Sequence, residues 1–116
     1  MDDLMYPKEK TKKKRMQHPP SILELPKGMC LLCYLEGDTR YKVTEEHHVL
    51  FGRGLRKISE ENGIKCNLCL EHHRTGKKAV HRSKKTREFL IQLFQRKYEL
   101  DHSHEEWMQM AGKNWL

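Results

Sequence analysis

No stretch of this chain stays apolar for more than a few residues. That excludes the run of roughly 20 apolar residues that a membrane-spanning helix needs, and it leaves no hydrophobic segment of the kind a secretory leader carries. The expectation is a cytosolic protein with no membrane partner. Apolar residues are scarce overall, at 36% of 116 residues against 34% charged. One small domain is the most such a chain can build, and burial alone leaves it marginal. Chains this small and polar lean on a structural metal. Acidic residues are also in deficit, 16 Asp and Glu against 23 Lys and Arg, for a net charge of +7. An anionic partner follows, and nucleic acid is the commonest one for a basic domain. Cysteine is limited to four residues in two Cys-x-x-Cys pairs, Cys30/Cys33 and Cys66/Cys69. Neither pair sits in the βαβ pattern that a thioredoxin-like redox site requires. In a reducing compartment, paired cysteines of this spacing hold zinc.

What is present falls into three segments. Residues 1–28 read as a basic, largely extended arm. The run from Lys8 to Arg15 carries Lys12, Lys13, Lys14 and Arg15, and Pro19, Pro20 and Pro26 preclude a long helix after it. Such an arm tracks phosphates without choosing sequence, while Ile22, Leu23 and Leu25 are candidates to pack on the domain. Residues 29–82 hold the metal-ligating side chains. Here we expect a tight knuckle at Cys30–Cys33 with a turn at Gly37-Asp38, and a strand over Tyr41–Thr44 leading into His47-His48. A strand or continuation at Val49–Phe51, a helical turn over residues 57–62 ended by Gly63, and a strand over Ile64–Leu68 follow. Leu70–Arg74 starts a helix or turn that Gly76 interrupts. Residues 83–116 read as C-terminal helices packing on the core. From Lys84, the residues Phe89, Leu90, Leu93, Phe94, Lys97 and Tyr98 form one face, opposed by Lys85, Arg87, Gln92, Gln95 and Arg96. Ser83 or Thr86 caps that helix. Ser103 and Glu106 have capping-box spacing for a second helix, whose Trp107, Met108 and Met110 we assign to core packing.

Zinc takes four tetrahedral ligands. Cys30 and Cys33 supply two of them, and either Cys66 with Cys69 or Cys69 with His72 supplies the rest, since both pairs share one spacing. The tandem histidines add a second kind of chemistry. Successive side chains on a strand alternate faces, so His47 and His48 can divide metal binding from proton transfer. Glu45 and Glu46 read as solvated carboxylates rather than partners of a ligand imidazole, and His18, His102 and His104 as surface residues.

Taken together, Cys30-x-x-Cys33, His47-His48, Leu68-Cys69-x-x-His72-His73 and His81 make residues 30–81 resemble the HNH, or ββα-metal, endonucleases. The short phage and prophage members with a zinc knuckle are the most similar. The resemblance implies an α+β fold with a small ββα-metal (His-Me finger) core, a structural zinc knuckle and flanking helices. It favours Cys30, Cys33, Cys69 and His72 as the structural zinc ligands, with Cys66 as the alternative fourth. It also implies that His47, His73 and His81 hold a catalytic divalent metal, with His48 as general base. Asn62 would take the place of the residue that orients the base, and Arg74, Arg53 and Arg56 would grip phosphates. In the family the last ligand commonly follows the preceding one by about four residues, where this chain has Lys77, so a loop must return His81 to the site.

The implied activity is hydrolysis of phosphodiesters in double-stranded or branched DNA, leaving 5′-phosphate and 3′-hydroxyl ends, in a bacterial host cytosol. A histidine-rich site leans toward Zn²⁺, Mn²⁺ or Ni²⁺ over Mg²⁺. A homodimer or a phage protein partner is compatible with this. Two other readings use the same residues differently. One is a non-catalytic zinc-knuckle DNA-binding module. The other is a phage assembly or host-interaction adaptor that docks through Trp107 and Trp115.

Overall fold

The computed structural model describes residues 18–116, so the basic residues Lys12, Lys13, Lys14 and Arg15 lie outside the described region. The fold is a small α+β arrangement: a two-stranded antiparallel sheet with helices before, between and after the strands. Its chain order is α1 (Leu31–Leu35), β1 (Thr44–His48), α2 (Leu55–Asn62), β2 (Lys65–Cys69), a π-helical turn (Glu71–Thr75), α3 (Lys84–Asp101) and α4 (His104–Ala111).

The knuckle is a short helix rather than a bare turn. Cys30 caps α1, its Sγ accepting from the Cys33 N–H at 3.4 Å. The expected strand over Tyr41–Thr44 instead begins at Thr44 and contains the histidine pair itself. Val49–Phe51 forms no second strand. Val49 N–H reaches the Ile64 carbonyl, but the backbone of Leu50 turns to the buried hydroxyl of Ser59, which accepts from Leu50 N–H at 3.0 Å and donates to its carbonyl at 3.2 Å. One side chain thus satisfies both groups that a ladder would have used. The helix before β2 is longer than expected, running from Leu55 and ending at Gly63. Gly63 has φ +72°, and a Cβ there would collide with the Pro20 carbonyl. Only glycine lets residues 20–22 lie against the end of α2, where Ile22 N–H donates to the Gly63 carbonyl at 3.0 Å. Ile22, Leu23 and Leu25 pack on the core from this segment.

The sheet register pairs Thr44 with Cys69, His47 with Cys66 and His48 with Lys65. The core below it joins Leu31, Leu32, Val49, Leu50, Ile64 and Leu68 to Leu90, Ile91 and Phe94 of α3 and Trp107 of α4. Ser83 caps α3 through Thr86 N–H, and Ser103 and Glu106 form both bonds of a capping box on α4. The buried stripe of α3 is Leu90, Ile91, Phe94, Gln95 and Tyr98, offset by one residue from the expected face. Phe89 is 45% exposed, and Gln95, expected outside, is fully buried. The returning C-terminus causes the offset. Gln95 donates to Asn114 Oδ1 and Glu99 Oε2, each at 2.8 Å, and accepts from Trp115 N–H at 2.9 Å. Trp107 is wholly buried, its Nε1–H donating to the Lys113 carbonyl, so it offers no surface to a partner.

Candidate metal centres

The first centre is closed. His72 Nδ1 lies 3.5, 3.4 and 3.3 Å from the sulfurs of Cys30, Cys33 and Cys69, and the sulfurs of Cys33 and Cys69 are 3.7 Å apart. A tetrahedral ion with ordinary zinc–sulfur and zinc–nitrogen bonds sets ligand edges of about 3.8 Å between sulfurs and about 3.6 Å from sulfur to nitrogen. The four atoms therefore have the spacing of a metal cage, and these four residues can bind a metal. α1 supplies two ligands, the end of β2 the third and the π-helical turn the fourth. Burial opposes ionisation of Cys69, but hydrogen bonds from the backbone and side chain of His72 bring its thiol down to about 7, which favours the thiolate a metal requires. Lys42 Nζ sits 2.9 Å from both Cys33 Sγ and Asp38 Oδ2, placing a cation beside the sulfurs. Cys66 is not a member of the group. It is buried in the sheet opposite His47, and burial pushes its thiol up, so it behaves as a small apolar core residue.

The second centre is open. His47, His73 and His81 gather their ring nitrogens within 4.8 Å of one another. His73 Nε2 and His81 Nε2 are 3.0 Å apart, and the His47 ring centroid lies 5.3 and 5.5 Å from those of His73 and His81. Neighbouring ligand nitrogens on a six-coordinate ion, at bonds of about 2.1 Å, are about 3.0 Å apart, which is the spacing of His73 and His81, and the three imidazoles together could hold a metal ion. The three imidazoles line one wall of a surface cavity of about 480 Å³ shared with His48, Arg56 and Arg74. A cation held there by three imidazoles would have positions left for water or substrate, as open metal sites do. Burial, then the neighbouring His73, His81 and His48, hold the His47 imidazole down to about 3. It is neutral at physiological pH, with a lone pair free.

The return of His81, although eight residues beyond His73, has a backbone cause. Gly76 N–H closes the π-helical turn on the Glu71 carbonyl at 2.9 Å. The chain then runs back beside that turn, with Val80 N–H donating to the His72 carbonyl and His81 N–H to the His73 carbonyl. The second of these bonds sets His81 against His73.

Strand alternation divides β1 into two working faces. Glu45 and His47 both meet His73. Glu45 Oε1 accepts from His73 Nδ1 at 2.7 Å and from Arg74 Nε at 2.9 Å. Glu45 is therefore not the solvated carboxylate expected: it fixes the His73 tautomer and leaves Nε2 bare for a cation. Glu46 and His48 face the other way, toward α2, where His48 Nε2–H donates to Glu60 Oε1 at 2.8 Å. Hydrogen bonds from His48 and Lys65 hold the Glu60 carboxyl down to about 2. Glu60 was missed in the sequence, although a helix lying between the two paired strands is where a partner for His48 should be sought. The Asn62 side chain is engaged elsewhere: its Nδ2 donates to the Ile58 carbonyl of its own helix, and the hydrogen-bond partner of His48 is Glu60. Arg56 borders the histidine cavity and Arg53 is exposed nearby. His18 and His104 are exposed, and His102 stacks on Tyr98.

Compared with known proteins, the chain matches no family model, no curated protein and no solved structure. Among the described residues, no helix is long and apolar enough to cross a membrane.

Proposed function

We propose that this chain is a metal-dependent DNA endonuclease of the HNH, ββα-metal kind. In this reading Cys30, Cys33, Cys69 and His72 hold a structural zinc, and His47, His73 and His81 hold a catalytic divalent cation. One observation carries it. A three-imidazole donor set opens on a cavity that also contains His48, an imidazole on the other face of the same strand that the donor set does not use. Hydrolysis of a phosphodiester needs a base for the attacking water and neutralisation of charge on the phosphate and leaving oxygen. His48 takes the proton from water, at the ring nitrogen not committed to Glu60. A divalent cation, when bound, supplies Lewis-acid stabilisation of the phosphate and the leaving oxygen. Arg56 and Arg74 border the cavity and hold flanking phosphates, while Arg53 and the basic run Lys12, Lys13, Lys14 and Arg15 add positive charge for further phosphate contact.

The substrate class is double-stranded or branched DNA, read mainly through its backbone, because 116 residues leave little surface for reading bases. The test is plasmid cleavage by the wild type and His48→Ala over Mg²⁺, Mn²⁺, Ni²⁺ and Zn²⁺, with tightly bound zinc measured by elemental analysis. The wild type is expected to cut and the folded, zinc-loaded variant to be slower by about 10²–10⁴-fold. If neither protein cuts with any metal while both bind DNA, a non-catalytic zinc-knuckle module replaces the endonuclease.

A further inference from the structure

The two donor sets leave one cluster of charged groups unassigned. Glu46, His48 and Glu60 bring an imidazole nitrogen and two carboxylates within 4.8 Å of one another, which by composition is a cation site. It already holds a cation. Lys65 Nζ lies 2.9 Å from Glu60 Oε2 and 3.8 Å from Glu46 Oε2, with its side chain only 10% exposed. A metal ion would have to expel a nearly buried ammonium, so the cluster is organised as an ion-pair network instead.

Glu60 is its centre. One oxygen accepts from His48 at 2.8 Å and the other from Lys65 at 2.9 Å. His48 and Lys65 are themselves cross-strand partners in the sheet, so the two strands present both groups to one carboxylate on α2. A carboxylate accepts hydrogen bonds and does not donate them. The proton of neutral His48 is therefore on Nε2, which leaves the lone pair on Nδ1.

We infer that Glu60 is the positioning residue for His48. It fixes the ring and its Nε2–H tautomer, so that Nδ1 is the atom that receives the proton, while Lys65 holds the carboxylate in place. The chemical use of that lone pair rests on the proposed endonuclease activity, but the tautomer does not. Partners that orient a working histidine are worth about 10–100-fold in metal sites. In serine proteases, where a carboxylate selects the tautomer of the base, the loss reaches about 10⁴-fold.

The deciding experiment is a long-range ¹H–¹⁵N correlation spectrum of the full-length, zinc-loaded protein labelled at histidine. It compares wild type, Glu60→Gln and Glu60→Ala at a pH where imidazoles are neutral, alongside cleavage kinetics. The wild type is expected to show a protonated Nε2 and a bare Nδ1 at His48. Glu60→Gln has one acceptor oxygen for two donors; the Lys65 ammonium takes it and the NH2 faces His48, so this variant is expected to favour the Nδ1–H tautomer, and Glu60→Ala to mix the tautomers. In cleavage, Glu60→Ala is expected to lower kcat by about 10–100-fold with KM for DNA changed by less than about twofold, and Glu60→Gln, which selects the wrong tautomer, to lower it at least as much. Because Glu60→Ala strands the Lys65 ammonium, the double variant Glu60→Ala/Lys65→Met repeats the measurement without a buried unpaired charge.

An Nδ1–H tautomer in the wild type would overturn the inference. So would a folded Glu60→Ala protein with unchanged tautomer and kcat. A wild type that cuts no DNA, but whose His48 tautomer depends on Glu60, would end the endonuclease reading and leave the assignment of Glu60 standing.

Discussion

At the scale of single residues, the two Cys-x-x-Cys pairs do not contribute equally. Spacing leaves Cys66 and His72 as equivalent candidates for the fourth ligand. What separates them is strand alternation inside β2: Cys69 stands at the strand end beside the π-helical turn, whereas Cys66 lies within the sheet, opposite His47. The consequence is measurable as metal content. Cys66→Ala is expected to keep one tightly bound metal per chain and to lose only the modest stability of a small core side chain, about 1 kcal/mol. Cys69→Ala is expected to lose the metal and much of the fold with it. Elemental analysis and thermal melts of the two variants check this, and equal metal loss in both would contradict the assignment of His72. The same alternation explains why Glu45 was misread as solvated. A residue two positions before His47 shares its face, and here it reaches the next candidate ligand, His73, as well.

At the scale of elements, regular patterns were legible and irregular backbone was not. The α3 helix, its N-cap at Ser83 and the α4 capping box could be read from spacing alone, because 3.6-residue periodicity and Ser-x-x-Glu are local signals. The offset of the buried stripe on α3 was not legible, since it depends on Gln95 meeting Asn114 and Trp115 across the tertiary structure. The turn from Leu70 and its end at Gly76 were legible, but its π-helical form was not, and that form matters more, because the chain leaving it returns His81 to His73. Gly76 is its pivot. A Cβ there would stand 2.7 Å from the Glu71 carbonyl oxygen and 3.0 Å from Glu71 Cγ. Gly76→Ala must therefore open the turn by a few tenths of an ångström or more, at a cost of about 1–3 kcal/mol. The bonds that carry residues 80 and 81 back lie just beyond it. The expected phenotype is selective: metal at Cys30, Cys33, Cys69 and His72 retained, with divalent-cation affinity at the three histidines weakened by about 10–100-fold. Titration of Mn²⁺ or Ni²⁺ into wild type and variant reads this directly, and unchanged affinity would show that Gly76 does not set the position of His81.

At the scale of the whole molecule, the closed centre and the core share one task. α1 and the π-helical turn are both short, at five residues each, and neither would be stable alone. Their common anchor is the four-ligand cage, which ties residue 30 to residue 72 across the sheet. Structural zinc contributes an apparent 10–16 kcal/mol in small domains near neutral pH, against a total folding stability of about 5–15 kcal/mol for ordinary domains. For a chain with 36% apolar residues, the first number is as large as everything else the fold can supply. Stripping the metal with a strong chelator at neutral pH is therefore expected to abolish cooperative melting of residues 29–82, and restoring zinc to recover it. Helix α4 reports on the same event, because Trp107 is wholly buried and packs against Tyr98 at a centroid distance of 5.6 Å. Its fluorescence should shift to that of an exposed indole when the core opens. A metal-free protein that keeps both its melting transition and a buried Trp107 would mean that the hydrophobic core holds the fold by itself. The cysteine–histidine cage would then be an accessory to a domain stable without it, and the proposed histidine chemistry would rest on a scaffold that needs no zinc.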